Sequence, residues 1–407
     1  MKHPRPPVRR APASPFNRPR TATTHAFSDP RRIVSLALQV LRKAGREHPA
    51  DSVLRDVLRA QAALSPQDSH EVTRAVFAYY RWLGWTREAS SPDEALRLAQ
   101  DCDRRFARDP GSFPDEDLAR RAAPEWIAQE METTPAWLRS LQGPPRLWLR
   151  TRRKDLERVA QELEECAPPT IKGCFQALEY RGELDLFRTP LFHSGAFEVQ
   201  DIASQIVGHW CDPKPGETWW DACAGEGGKL LHLSDLMENK GMIWASDRAA
   251  WRLLKLKRRA ARAGVFNYRS APWEGGERLP TKTAFDGVLV DAPCSGVGTW
   301  QRNPHARWTT LPSDVHELAE AQLKLLRHAS RGVKPGGRLI YSVCTLTRSE
   351  TSGVARLFAE STPGFAPEAL PAFPEAERGN NNEAWIWPQT NRSNGMYVAA
   401  WRRAGSA

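Results

Sequence analysis

Apolar positions change their period along this 407-residue chain. From about Arg31 to Asp103 they recur at i, i+3, i+4 and i+7. Ile33, Leu36, Ala37, Val40 and Leu41 share one face; Leu54, Val57 and Leu58 share a second; Val72, Val76 and Tyr79 share a third; Pro92-Asp93 opens a fourth stretch. That spacing predicts four helices, the second over 52–63 and the third over 70–84. Residues 105–145 are rich in turn residues and Trp and predict one or two short helices in a hinge. Residues 146–205 read as mixed, with a strand at 147–149, a helix over 155–165, a loop over 187–197 and a helix over 201–209. From Gly216 the rhythm is regular. Strands are expected at 218–222, 242–246, 265–268, 285–290, 338–341 and 396–400, separated by helices at 229–237, 248–263, 314–332 and from about Ser349. Strands alternating with helices imply an α/β fold with a doubly wound, mostly parallel sheet.

The expected organisation is a basic tail over 1–30, a helical domain over 31–110, a helical hinge over 111–145, a small α+β module over 146–205 and the α/β domain over 206–407. Hydrophobic residues make up 41% of the chain, enough for real cores. No stretch approaches the roughly 18 apolar residues of a membrane span, and no apolar leader core is present. A soluble, cytoplasmic monomer with no membrane partner is the expectation. The net charge of +10 points to a polyanionic partner. Up to Arg32 there are eight Lys or Arg and one Asp, a composition that cannot bury enough apolar surface to fold. It serves either as a solvated tail or as an arm on phosphate. Seven cysteines, none in a CxxC pair, give neither zinc spacing nor a secreted disulfide framework, so no metal is expected.

The chemistry concentrates after the predicted strands, where open α/β sheets bind ligands. Asp291-Ala-Pro-Cys-Ser-Gly296 follows the 285–290 strand, and Tyr341-Ser-Val-Cys-Thr345 closes the 338–341 strand. Two thiols and an aspartate would therefore converge on one crevice, and thiols are good nucleophiles. A glycine loop, Asp221-Ala-Cys-Ala-Gly-Glu-Gly-Gly-Lys229, follows the first strand. A P-loop would need Gly at Cys223 and Ser or Thr at Leu230, and a dinucleotide fingerprint from Gly225 would need Gly at Leu230, so both fail. Asp247 ends the second strand about twenty residues on, where a carboxylate accepts from ribose hydroxyls. A ribose-bearing ligand without a phosphate to cradle fits, and S-adenosyl-L-methionine is one; alternatively Asp247 only caps the following helix.

These motifs resemble the RNA 5-methylcytosine methyltransferases of the Nol/Nop/Sun group, closest to its bacterial Sun/RsmB branch. The group's "DACAAPGGK" is matched at 221–229, "DAPCSGTG" at 291–298, "YSTCS" at 341–345 with its following glutamate at Glu350, "VQDxxSQ" at 199–205 and, loosely, "DGFFxA" at 394–399. The likeness covers about 145–402 well. It implies a Rossmann-like methyltransferase domain, a NusB-like RNA-binding domain in the N-terminal helices and an RNA-recognition-like module over 146–205. It further implies S-adenosyl-L-methionine as cofactor and RNA, expected to be ribosomal, as partner. A transfer-RNA cytosine methyltransferase and a catalytically silent ribosome assembly factor are the alternatives.

Carried over residue by residue, Cys344 is the thiol that attacks carbon-6 of cytosine, Cys294 resolves the adduct, Asp291 holds the base edge and Lys229 favours the thiolate. From sequence alone the two cysteines could be exchanged, since DNA cytosine methyltransferases use the Pro-Cys position as nucleophile. The expected cofactor set is Cys223, Ala224, Gly225, Glu226, Gly227, Gly228, Lys229, Asp247, Arg252 and Asp291. The chain departs from the pattern at Glu226, where the family has Pro. It departs again after the third strand, where Ser270-Ala-Pro-Trp273 lacks the usual acid and Trp273 is left to pack on the adenine ring. Arg302, Arg307 and the 248–263 helix, with Arg252, Lys255, Lys257, Arg258 and Arg259, are placed to meet phosphates. Trp300 and Trp308 either stack on bases or pack in a core.

Overall fold

The computed structural model describes residues 29–61, 64–168, 176–373, 376–379 and 382–405. The expected basic tail lies outside them except for its last two positions, as does Cys174. Four helices open the fold at Pro30–Lys43, Ala50–Arg59, Pro66–Arg81 and Pro92–Arg108. Three begin with Pro in the first turn, behind Asp29, Ser65 and Ser91, whose side chains accept from free N–H groups. Leu36, Val40, Leu54, Val57, Val72, Val76 and Leu96 form their shared core.

Three short helices follow, Asp115–Arg121, Ile127–Glu130 and Pro135–Ser140. Trp82, Leu118, Ile127, Trp137 and Leu138 build a core there with Val297, Trp300 and Leu346 from far along the chain. The stretch read as a hinge is thus packed against the segments that follow both cysteines.

Strands β1 (Leu147–Thr151), β2 (Cys166–Ala167), β3 (Ala177–Tyr180) and β4 (Phe197–Val199) make a four-stranded antiparallel sheet in the order β2-β3-β1-β4. Arg150 of β1 pairs with Asp235 and donates to Gln200 Oε1 (2.7 Å), tying this sheet to the next domain.

That domain contains β5 (Thr218–Asp221), β6 (Met242–Asp247), β7 (Tyr268–Pro272), β8 (Phe285–Asp291), β9 (Val333–Val343), β10 (Phe365–Pro367), β11 (Ala376–Arg378), β12 (Glu383–Ile386) and β13 (Met396–Arg403). The order is β11-β12-β13-β9-β8-β5-β6-β7, with β10 also on β13. β7, β6, β5, β8 and β9 run parallel; β13 is antiparallel to β9. Side chains alternate across the sheet. Trp219 packs under helices Ile202–Cys211, Gly228–Leu236 and Ala250–Ala263, while Trp220 packs under Pro312–Ser330 and Ser352–Ser361. This is the doubly wound α/β architecture expected. The chain leaves β5 towards β7, then returns to β8, so the switch point lies between β5 and β8, where such sheets bind ligands.

Candidate active site

Four carboxyl ends meet at this edge. Asp221 closes β5, Asp247 closes β6, Asp291 closes β8, and Ser342 sits near the end of β9. The loop after β5 is folded back by its own backbone: Ala224 N donates to Ser246 O (2.8 Å) and Gly227 N to Ala224 O (2.8 Å). Gly227 has φ +89°, and a Cβ there would lie 2.8 Å from Leu256 Cγ, so only glycine fits. A Cβ on Gly225 or Gly228 would meet nothing within 4 Å, so the loop faces open space. Asp247 accepts from Gly225 N (3.0 Å) and from Ala249 N (2.8 Å). It therefore turns the chain just ahead of the next helix, whose N-cap is Ala249, and also braces the glycine loop, and Arg252 lies 3.8 Å away. Glu226 points outward, paired with Lys255 (2.7 Å).

Asp221 is the unusual group. It is buried, and neither carboxylate oxygen has a hydrogen-bond partner. Burial, reinforced by Asp291, pushes its carboxyl up to about 8. An orphaned buried carboxyl is costly unless a cation or donor completes it. The open glycine loop beside it leaves room for one.

The two thiols converge. Cys294 Sγ lies 3.3 Å from Cys344 Sγ, and both remain partly accessible. Lys229 Nζ donates to Asp291 Oδ2 (2.7 Å), whose Oδ1 accepts from Ser342 Oγ (2.7 Å). Burial would lower the Lys229 ammonium, but Asp291, Cys344 and Asp221 hold it above its ordinary value. The sulfur–sulfur contact with Cys294 and the charge of Lys229 hold the Cys344 thiol below its ordinary value despite burial. The same contact, with burial, keeps the Cys294 thiol well above its own. Of the two thiols, Cys344 is the one whose ionisation the Lys229 ammonium favours. Burial drives the Cys223 thiol upward, which leaves it unreactive.

A buried carboxylate aligns the two loops. Glu350 accepts from Ser295 N (2.8 Å), Gln322 Nε2 (2.9 Å) and Thr347 Oγ1 (2.8 Å), from Thr345 Oγ1 (3.2 Å), and from Ser295 Oγ. Tyr341 OH lies 2.9 Å from Gln322 Oε1 and 2.7 Å from Glu350 O and shares its one proton between them, closing the network. Gly298 N donates to Cys344 O (3.1 Å) and Gly395 N to Gly298 O (2.6 Å). A Cβ at Gly298 would sit 2.1 Å from Gly395 O, so the closing glycines of two distant motifs are needed for this contact. Asp201, of the 199–205 signature, accepts from Asn394 N (3.1 Å) and from Arg302 (3.2 Å), pinning the same corner. A cavity of about 450 Å³ opens from Cys294 and Ser295 past Thr310, Asp314 and Leu318.

Several expected contacts are otherwise engaged. Arg307 is fully buried and donates to the carbonyls of Ala122 (2.8 Å) and Leu141 (2.8 Å), and more loosely to Arg81 and Trp300, so it meets no phosphate. Trp300 is buried and stacks on no base. Trp308 donates from Nε1 to Tyr80 O (2.7 Å). Trp273 sits in the core against Trp220 and donates to Gly276 O (3.1 Å), so it is not free for an adenine ring. Arg302 keeps an exposed edge. On the 250–263 helix, Arg252, Lys255 and Arg259 face Asp247, Glu226 and Glu198, leaving Lys257 and Arg258 exposed. Asp221, Ser342, Gln322 and Glu130 were not singled out as site residues. Asp221 opens the glycine-loop motif and Ser342 lies inside the 341–345 motif, whereas nothing local marks Gln322 or Glu130. Among the described residues no group of acidic, His and Cys side chains could hold a metal ion, and no helix is long and apolar enough to cross a membrane.

The parallel strands, the antiparallel β13 and a glycine loop at the switch point define a Rossmann-like methyltransferase. The chain belongs to the RsmB/F family of ribosomal RNA methyltransferases. The profile of the family described as 16S rRNA methyltransferase RsmB/F matches residues 209–402. A probable ribosomal RNA small subunit methyltransferase B of Bacillus subtilis is 32% identical over 322 residues, covering 71% of this chain and 69% of that protein. One from Synechocystis is 33% identical over 306 residues, covering 72% and 67%. Among solved structures, PH0851 superposes with a TM-score of 0.76 at 23% identity, covering 92% of this chain and 99% of that one. NSun6 from Pyrococcus horikoshii, solved with SFG, gives 0.60 at 19% identity, covering 67% and 94%. These two structures support the fold.

Proposed function

We propose that this protein methylates carbon-5 of a cytosine in ribosomal RNA through a transient bond to Cys344. The observation that carries this is the pair of thiols 3.3 Å apart beside the Lys229–Asp291 pair. Carbon-5 of cytosine is a poor nucleophile because the ring is electron-deficient. A thiolate adding to carbon-6 makes the ring an enamine, which is covalent catalysis.

Cys344 forms that bond. Asp291, fixed by Lys229 and Ser342, keeps lone pairs for the base edge and stabilises protonation of the ring nitrogen as the adduct forms. After methyl transfer Cys294 first gives its proton to solvent; its thiolate then takes the carbon-5 proton as the carbon–sulfur bond breaks and Cys344 leaves as thiolate. Glu350 keeps both sulfur-bearing loops in register. The target base must leave any stack to reach two thiols, so looped or flipped RNA is the substrate form.

The glycine loop fits S-adenosyl-L-methionine. Its two cationic groups suit the orphaned Asp221 carboxyl, and its ribose hydroxyls suit Asp247. When bound, it supplies the methyl group that the activated carbon-5 accepts. SFG, held by the related NSun6, is an analogue of this cofactor. The retention of both thiols speaks against a silent assembly factor.

Mapping 5-methylcytosine in cellular RNA with and without the gene tests the proposal. Loss of one small-subunit ribosomal site is expected. Loss of a transfer-RNA site would move the substrate, and an unchanged map would remove the activity altogether.

A further inference from the structure

The segment between Cys344 and the end of its loop is gripped from two sides. On one side Thr345 and Thr347 donate to Glu350. On the other, three contacts reach the helices at 115–140. Leu346 is buried in the core that contains Ile127, Trp137 and Leu138. Arg348 N donates to Glu130 O (2.8 Å). Ser349 donates twice to the Glu130 carboxylate, from N to Oε2 (3.0 Å) and from Oγ to Oε1 (2.9 Å).

Glu130 is buried, and no cation among the described residues pairs with it. Burying a carboxylate against neutral donors alone is expensive. Here both of its oxygens are directed at one residue of the nucleophile's loop. The same helical core takes Val297 and Trp300 from the Cys294 loop, so one body of helices supports both thiol loops.

We propose that Glu130 is a positioning residue for Cys344, and that the helices at 115–140 form part of the catalytic apparatus. This rests on the reading of Cys344 as nucleophile. By fixing Ser349 and Arg348, Glu130 sets how far the Cys344 sulfur stands from Cys294 and Lys229. A thiol held a fraction of an ångström away loses part of the hydrogen bond and charge that favour its ionisation, and reactive geometry is steeply sensitive to such displacement.

The test uses the full chain with Glu130→Ala, Glu130→Gln and Ser349→Ala. Three quantities are read: single-turnover methyl transfer to RNA, binding of S-adenosylhomocysteine, and the pH profile of iodoacetamide alkylation at Cys344 and Cys294, resolved peptide by peptide. Glu130→Ala is expected to slow single turnover by on the order of tenfold or more and to move the Cys344 alkylation midpoint to higher pH. Binding of the homocysteine analogue should not change. Glu130→Gln keeps one acceptor and should recover most of the rate. Ser349→Ala removes only the hydroxyl contact and should give a smaller shift in the same direction; it decides the matter if Glu130→Ala does not fold. Wild-type alkylation profiles and turnover in these variants would overturn the proposal. Failure of the wild-type protein to methylate any cytosine would instead refute the functional reading, and the alkylation profile would still report on positioning.

Discussion

Asp221→Asn should stabilise the free protein at alkaline pH while abolishing cofactor binding. Asp221 is buried with both oxygens unpartnered, and its carboxyl is pushed up to about 8 from 3.8. A group raised in the folded state stabilises the fold fully below its unfolded value, and that contribution disappears as the pH climbs through the folded value. The window therefore runs from about pH 4 to about pH 8. At about 1.4 kcal/mol per unit, roughly 6 kcal/mol is lost across it. Asn cannot ionise, but its amide leaves a buried donor unsatisfied at a cost of about 1–3 kcal/mol. The variant should match or fall below wild type at pH 5 and exceed it by roughly 3–5 kcal/mol above pH 8, which is several degrees in Tm or more. Thermal unfolding of both proteins across this range reads the difference, in which all other titrating groups cancel. S-adenosylhomocysteine should raise Tm for wild type at pH 8 and leave the variant unmoved. A Tm difference that stays constant with pH would refute the reasoning, because Asp221 would then not titrate in the folded state.

Lys229→Met removes the ammonium that favours the Cys344 thiolate, so the midpoint for alkylation of Cys344 should rise by about one unit. Methyl transfer at pH 7 should fall with it and recover partly as the pH is raised. Arg307→Leu leaves the buried Ala122 and Leu141 carbonyls without donors, at about 1–3 kcal/mol each, and should lower stability. RNA affinity measured on the remaining folded fraction should be unchanged, since this guanidinium is sealed from solvent.

Much of the α/β domain was legible because parallel strands buried on both faces leave continuous apolar runs. Asp221, Asp247 and Asp291 could be placed at strand ends from those runs alone. The glycine loop and both thiol motifs were legible for the same reason. Elements whose burial depends on distant partners were not. Arg307 follows a turn and reads as exposed, yet helix Pro304–Thr309 turns it into the seam between the N-terminal helices and the sheet domain. Trp300 and Trp273 are similar cases, apolar rings whose neighbours lie far away in sequence. Strands β10, β11 and β12 are three or four residues long, too short to establish a period. Glu130 lies 219 residues from its partner Ser349, a pairing that no local pattern encodes.

The account stands most directly on which sulfur bonds to RNA. Cys294→Ala protein should be incubated with small-subunit RNA and S-adenosyl-L-methionine, then digested, and the cross-linked peptide identified by mass spectrometry. The account predicts a stable complex with a methylated pyrimidine nucleotide on the peptide carrying Cys344, and none when Cys344 is also replaced by Ala. Efficient methylation by a protein lacking Cys344 would contradict it.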